Sequence, residues 1–256
     1  MSVPFLLGVL GGMGPLATVD FLAKLVAATP AAGDADHVPQ VTVSIPQIPS
    51  RVAAILRGGE SPLPALLAAR DRLLAAGATH LAMPCNTAYH WYDALVAGCD
   101  RPFLHIAAAA VAEVAARVER GSTVGVIATE ATHAIRLYAA RLERAGFRVA
   151  VPEGPDASAE VAAGIAAVKR GDAAAGGLRF AAVIAGLEAA GGRAVVLGCT
   201  EVPPGLAAAG ATGGVPLVDP TDALARACVS AWTASRVEGT GRPVRPGGLD
   251  RSARAL

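Results

Sequence analysis

An α/β protein of two similar halves, each a parallel sheet with helices on its faces, is predicted from three observations. Short apolar runs alternate with longer segments of helical period along most of the chain. Residues 75–85 can be laid over residues 189–199 without a gap, both reading helix end, glycine, apolar strand and then cysteine. The length of 256 residues is enough for one large domain or two of roughly 110–130 residues, each able to bury a core.

The elements follow in order. Residues 5–10 form a short apolar run, predicted as a buried strand, and lead into Gly11-Gly12-Met13-Gly14-Pro15 and a helix over 16–28 with apolar period. A second strand is expected over 41–45, bounded by Pro46-Gln47-Ile48-Pro49. A helix over 63–76 is closed by Gly77, which fits a C-cap, and a strand over 80–83 runs into Pro84-Cys85-Asn86-Thr87. A strand over 103–106 precedes an alanine-rich helix over 107–119. The second half repeats the pattern with a strand over 123–128. The segment 215–218, Asp219-Pro220-Thr221 and a helix over 222–232 then close the fold. The expected organisation is a first half over 1–116, a second over 117–216, and a C-terminal helix over 217–236 packed back on the first half. Residues 237–256, rich in Gly, Pro and Arg, are expected to be a flexible tail.

Composition excludes several classes of function. There are 22 Lys+Arg against 21 Asp+Glu, a net charge of +1, whereas nucleic acid or an anionic membrane surface demands a basic excess. No run of about 20 residues stays apolar without charge, Gly or Pro, so a spanning helix is not expected. The N-terminus lacks the basic region of a signal peptide, and four cysteines are too few for a disulfide scaffold. The expectation is a reduced, cytoplasmic protein. No C-x-x-C or H-x-x-x-H spacing suggests a metal.

The chemistry concentrates at two cysteines. The internal offset of 114 residues puts Cys85 in register with Cys199, each just past the carboxyl end of a strand, where open parallel sheets hold their ligands. A lone strand-end cysteine is more often structural. Here hydrogen-bonding residues follow each one, Asn86-Thr87 and Thr200-Glu201, and backbone N–H groups at such turns can stabilise a thiolate or bind a carboxylate. Cys99 and Cys228 have no such setting.

These motifs resemble those of the aspartate/glutamate racemase family, in its aspartate racemase branch. The resemblance rests on Gly11-Gly12-Met13-Gly14-Pro15 with Ala17-Thr18 and Asp20-Phe21, and on Thr29-Pro30-Ala31. It continues in Pro46-Gln47-Ile48-Pro49 with Arg51, Pro84-Cys85-Asn86-Thr87-Ala88, Gly198-Cys199-Thr200-Glu201, and Val215-Pro216-Leu217 before Asp219-Pro220-Thr221. It covers the chain to about residue 235. It implies two α/β halves with pseudo-twofold symmetry and the active site in the cleft between them. It also implies two-base proton transfer at the α-carbon of an amino acid, without pyridoxal phosphate or any other cofactor, and a homodimer.

In that likeness Cys85 and Cys199 are the two acid/base thiols, Cys85 serving the D enantiomer and Cys199 the L. Met13, Gln47, Asn86, Thr87, Thr132 and Thr200 are expected at the substrate, with Glu201 in support. Arg51 and Lys169 are the cations for a dicarboxylic substrate. Lys169 is one of only two lysines among 22 basic residues, the other being Lys24, as if lysine were kept where its shape matters. Tyr89, Ala131, Ile135, Arg136, Ser44 and Ser50 depart from the family pattern at positions that border its cleft. Aspartate or a related acidic amino acid is the expected substrate. An isomerase or epimerase acting on a modified amino acid or related carboxylate, and a non-catalytic amino-acid-binding relative, are the alternatives.

A dinucleotide site is the rival from another class. Gly12-Met13-Gly14-Pro15-Leu16-Ala17 satisfies G-x-G-x-x-G/A after a strand, but no acidic residue ends the second strand to meet a ribose.

Overall fold

The computed structural model describes residues 4–240. Its first sheet contains β1 (Leu7–Gly11), β2 (Gln40–Ser44), β3 (His80–Ala82) and β4 (Phe103–Leu104). Its second contains β5 (Thr123–Ala128), β6 (Arg148–Ala150), β7 (Gly192–Gly198) and β8 (Leu217–Val218). The strand orders are β2-β1-β3-β4 and β6-β5-β7-β8, every pairing parallel. The two halves thus share one topology, and the fold is α/β as predicted.

The internal echo extends to the register. Gly8 pairs with Leu81 and Gly125 with Val195, while Leu81 pairs with Phe103 and Val195 with Leu217. A side chain on Gly8 would press on Leu81 and on Leu73 of α3 (Leu63–Ala75), and one on Gly125 on Val195 and on Leu187 of the matching helix. The glycine in each central strand is therefore what lets a helix lie close to the sheet.

The predicted helices form with small shifts at their ends, joined by several that periodicity did not reveal. The first is α1 (Pro15–Ala28), followed by the short α2 (Arg51–Arg57), which Ser50 caps by accepting from the Ala53 N–H at 3.3 Å. After α3, Gly77 takes a left-handed conformation and closes the helix with its N–H on the Leu74 carbonyl. A 3₁₀ turn over Thr87–Trp91 leads to α4 (Tyr92–Val96). The strand expected over 103–106 stops at Leu104, because His105 turns the chain and its ring accepts from the Ala107 N–H, capping α5 (Ile106–Arg117). The second half adds α6 (Glu130–Ala134), α7 (Ala139–Arg144), α8 (Gly154–Lys169), α9 (Ala173–Ala189) and α10 (Val202–Ala209). Last comes α11 (Pro220–Thr240). It runs into the segment read as tail, whose residues 241–256 lie outside the described part.

Each sheet is covered on both faces. In β5 and β7, Val126 and Val196 face a core shared with the first half, while Ile127, Val195 and Leu197 face a second core made with α8, α9 and α10. The period of two along each strand divides the two cores. Helix α11 packs on α1 and α5, where Arg226 pairs with Glu113. Lys24 pairs with Asp20 and, at 2.6 Å, with Asp219 just before α11. Lys24, the lysine outside the candidate site, thus serves the fold. No helix among the described residues is long and apolar enough to cross a membrane.

Candidate active site

Cys199 follows β7 directly, and Cys85 follows β3 after two residues. Both sit beyond the carboxyl end of an inner strand, one in each half, and both line a single cavity of about 100 Å³. Met13, Arg51, Asn86, Thr87, Lys169, Thr200 and Glu201 line the same cavity. With Thr129, which also lines it, residues from six separate stretches of chain are brought to one place. A larger groove of about 480 Å³, at the amino ends of β5 and β7 around Ser122 and Arg193, contains none of the candidate residues.

The surroundings of the two thiols differ. Burial pushes the Cys85 thiol up, while the Arg51 guanidinium and the Ala88 N–H act in the opposite direction. Burial also pushes the Cys199 thiol up, but here a carboxylate adds to the effect: Cys199 Sγ donates to Glu201 Oε2 at 2.9 Å. The same oxygen accepts from the Thr200 hydroxyl at 3.2 Å, and Lys169 Nζ lies 3.5 Å from Glu201 Oε1. Both thiols are therefore raised, and Cys85, where Arg51 and the Ala88 N–H oppose burial and Glu201 adds to it only through space, is raised less than Cys199. Both side chains are nearly inaccessible, at 6% and 5% exposure.

The two cations are held differently. Arg51 begins α2, and its Nη1 donates to the carbonyls of Ile48 at 2.9 Å and Pro49 at 3.0 Å. The proline-rich turn therefore orients the guanidinium toward Cys85. Lys169 ends α8, with a side chain 63% exposed. An ion pair this exposed contributes little to stability.

The polar floor joins the two halves. The Thr87 hydroxyl lies 3.0 Å from that of Thr132, which lies 2.9 Å from that of Thr129. Thr132 is thus behind the cavity wall, and Thr129 is on it. Asn86 Oδ1 accepts from the Tyr138 hydroxyl, which leaves the Asn86 amide N–H₂ as the group available to a ligand. Gln47 is not brought in: it is exposed on the turn after β2. Ser50, Val52, Thr129 and Gly198 line the cavity without having been picked out as site residues. Motifs were the available signal for three of these, since each adjoins a matched residue or lies within a matched segment.

The departures from the family pattern mostly lie off the cavity. The Tyr89 hydroxyl donates to the Leu104 carbonyl and accepts from the Ile106 N–H, both at 3.1 Å, and so secures the β4–α5 turn. Ala131 is buried, Ile135 packs against the core, and Arg136 pairs with Glu143. Ser44 is exposed at the end of β2. Only Ser50 among the six lines the cavity.

The glycine loop is explained by packing. A side chain on Gly12, which has φ +93°, would fall 2.3 Å from the Ile45 backbone nitrogen, and one on Gly11 would strike Thr18. Thr18 Oγ1 in turn accepts from the Gly12 N–H at 2.8 Å. Gly12, the first glycine of the dinucleotide fingerprint, thus admits neighbouring chain, whereas a side chain on Gly14, the second, would meet nothing within 4 Å. The cavity is also small beside the roughly 300–1,000 Å³ of drug-sized ligand pockets.

Known proteins share the sequence profile and the architecture of this chain. Residues 10–228 match the sequence profile of Asp/Glu/Hydantoin racemase. An aspartate racemase from Picrophilus torridus is 29% identical and superposes with a TM-score of 0.77, over 89% of this chain and 94% of that one. An aspartate racemase homologue from Pyrococcus horikoshii is 21% identical, with a TM-score of 0.71 over 88% and 98% of the two chains. A glutamate racemase from Francisella tularensis, solved with D-glutamate, is 17% identical, with a TM-score of 0.65 over 93% and 84%. The last two likenesses concern the fold. With a profile match spanning most of its length and a shared two-sheet architecture, the chain belongs to the Asp/Glu/hydantoin racemase family.

Proposed function

We propose that the protein is an amino-acid racemase that interconverts the enantiomers of aspartate, or of a closely related acidic amino acid, using Cys85 and Cys199 as paired acid/base groups. The observation that carries this reading is the meeting of two thiols from equivalent turns of the two halves in one small cavity. One thiolate takes the α-proton, the electron pair of the C–H bond passes into the adjacent carboxylate, and the other thiol returns a proton to the opposite face. One thiol has then gained a proton and the other lost one, and the next turnover in reverse restores them.

Burial raises both thiols, and the thiolate forms more readily at Cys85, which Arg51 faces, than at Cys199, which donates to Glu201. The family likeness assigns Cys85 to the D enantiomer. Two cations and one carboxylate on the cavity wall favour a substrate with two carboxylates. Asn86 N–H₂ and the Thr87 and Thr200 hydroxyls are available to the amino-acid head. The reaction needs no pyridoxal phosphate on this reading, because the thiols transfer the proton themselves. Lys169 also lacks the setting of a Schiff-base lysine, being exposed and paired with Glu201.

The test is turnover of purified protein with both enantiomers of acidic, amide and neutral amino acids in deuterated water, with no cofactor added. Aspartate or glutamate should lose optical activity with deuterium at the α-carbon. Faster turnover of a neutral amino acid, or activity only with added pyridoxal phosphate, would overturn the reading.

A further inference from the structure

One buried side chain touches both thiol-bearing turns. Tyr138 is 1% exposed and belongs to the second half, between α6 and α7. Its hydroxyl donates to Oδ1 of Asn86, the residue after Cys85. Its ring lies against Gly198, the residue before Cys199, where a side chain would fall 2.9 Å from Tyr138 Cε2. Burial raises the phenol well above its ordinary value, so the hydroxyl remains a donor. Neighbouring contacts act in the same direction, since Thr129 and Thr132 grip Thr87 from the same stretch of the second half.

We propose that Tyr138 is a positioning residue, which sets the two thiol turns at their working separation and turns the Asn86 amide so that its N–H₂ faces the substrate. The proposal rests on the racemase reading for its kinetic consequence, but the geometry it asserts concerns the thiols alone. A donor at Oδ1 fixes the orientation in which the Asn86 amide satisfies its acceptor, and Asn86 lines the cavity, so the N–H₂ is the group left for a ligand there. Without the phenol hydroxyl, the amide can rotate and present an acceptor to a carboxylate, which repels it. The ring contact at Gly198 is separate from the hydroxyl contact at Asn86, so the two can be removed one at a time.

The experiment uses Tyr138→Phe, Asn86→Ala and the double variant in the full chain, each checked for unchanged melting temperature. Tyr138→Phe should lower kcat/KM in both directions by up to about 100-fold, the scale of misplacing a reacting or binding group by about 1 Å. In the Asn86→Ala background the same change should have little further effect, because the hydroxyl acts through Asn86. An equal loss in both backgrounds would refute action through Asn86. In parallel, iodoacetamide labelling of Cys85 and Cys199 is followed by peptide mass. Tyr138→Phe should change the labelling rate at Cys85 more than at Cys199, and Tyr138→Leu, which loses the ring as well, should change both. Unchanged labelling in both variants would remove Tyr138 from positioning even if the wild-type protein turned over no amino acid. Absence of wild-type turnover with altered labelling would instead count against the racemase reading and leave Tyr138 in place. Should Tyr138→Leu fail to fold, the labelling and cycle data from Tyr138→Phe decide alone.

Discussion

Replacing Cys85 by alanine should cost more activity than replacing Cys199, although the two thiols occupy equivalent places in the fold. General acid–base catalysis contributes about 10²–10⁴-fold, and where each variant falls in that range depends on what stands behind the missing sulfur. Behind Cys85 the charged group in hydrogen-bond contact is Arg51, a guanidinium that cannot take up a proton, and Glu201 acts on this thiol only through space. Cys85→Ala should therefore lose close to 10⁴-fold. Behind Cys199, at 2.9 Å from its sulfur, is the Glu201 carboxylate, which can exchange a proton through water admitted by the smaller side chain. Cys199→Ala should lose nearer 10²-fold, and Cys199→Ala with Glu201→Gln should fall to the level of Cys85→Ala. The assay is racemisation of both enantiomers of aspartate by polarimetry, with α-proton exchange in deuterated water followed by NMR. Each single variant should retain slow exchange with retention of configuration for the one enantiomer facing its surviving thiol, and that enantiomer should switch between variants. Near wild-type racemisation by either single variant would refute two-thiol chemistry. Equal losses in the two, unchanged by Glu201→Gln, would refute the role given to the carboxylate.

Other consequences follow from the same surroundings. Because burial raises both thiols, activity should climb as pH rises above neutrality, and Glu201→Gln should move the limb that belongs to Cys199 to lower pH, read from kcat/KM against pH in each direction. Arg51→Ala should raise KM for a dicarboxylic substrate and move the Cys85 limb to higher pH, since the cation that favours the thiolate is gone; an unchanged profile would show that Arg51 does not act on Cys85. Alkylation of Cys85 and Cys199 should abolish turnover, and a dicarboxylic ligand should slow it, with labelled peptides identified by mass. Cys228, fully buried in α11, has its thiol pushed up from 9.0 to about 12 by burial. Its folded value lies above its unfolded one, so its contribution to stability is complete below pH 9 and is lost as pH rises toward 12. Urea midpoints should fall less steeply over that range in Cys228→Ala than in the wild type.

The parts of this molecule legible in its sequence are those carried by local pattern. Alternation of apolar strands and helices is a property of adjacent residues, and a repeat offset of 114 residues needs no knowledge of contacts. The same offset reappears in the pairing of Leu81 with Phe103 and of Val195 with Leu217. A cysteine at the end of an inner strand is likewise a local fact, so Cys85 and Cys199 could be named before any distance was known. The short helices α6 and α7 escaped because they span only five and six residues, too few for helical period to show.

Contacts between distant stretches could not be read in this way, because side chains 50 or more residues apart leave no joint period. Tyr138 meets Asn86 across 52 residues of chain, and Thr129 reaches the cavity while Gln47, in a motif, stays outside it. Tyr89, Ala131, Ile135 and Arg136 stood at cleft positions by motif, yet the β4–α5 turn holds Tyr89 in the core and the packing of the second half turns the other three to the core or the surface. The chemical difference between the thiols is also tertiary. Arg51 comes to Cys85 from a turn 34 positions earlier, and Lys169 reaches Glu201 from the end of another helix. The sequence alone determines that two equivalent thiols exist. Which of them is poised as base depends on the charges that folding brings to each, because electrostatic interactions act through space and not along the chain.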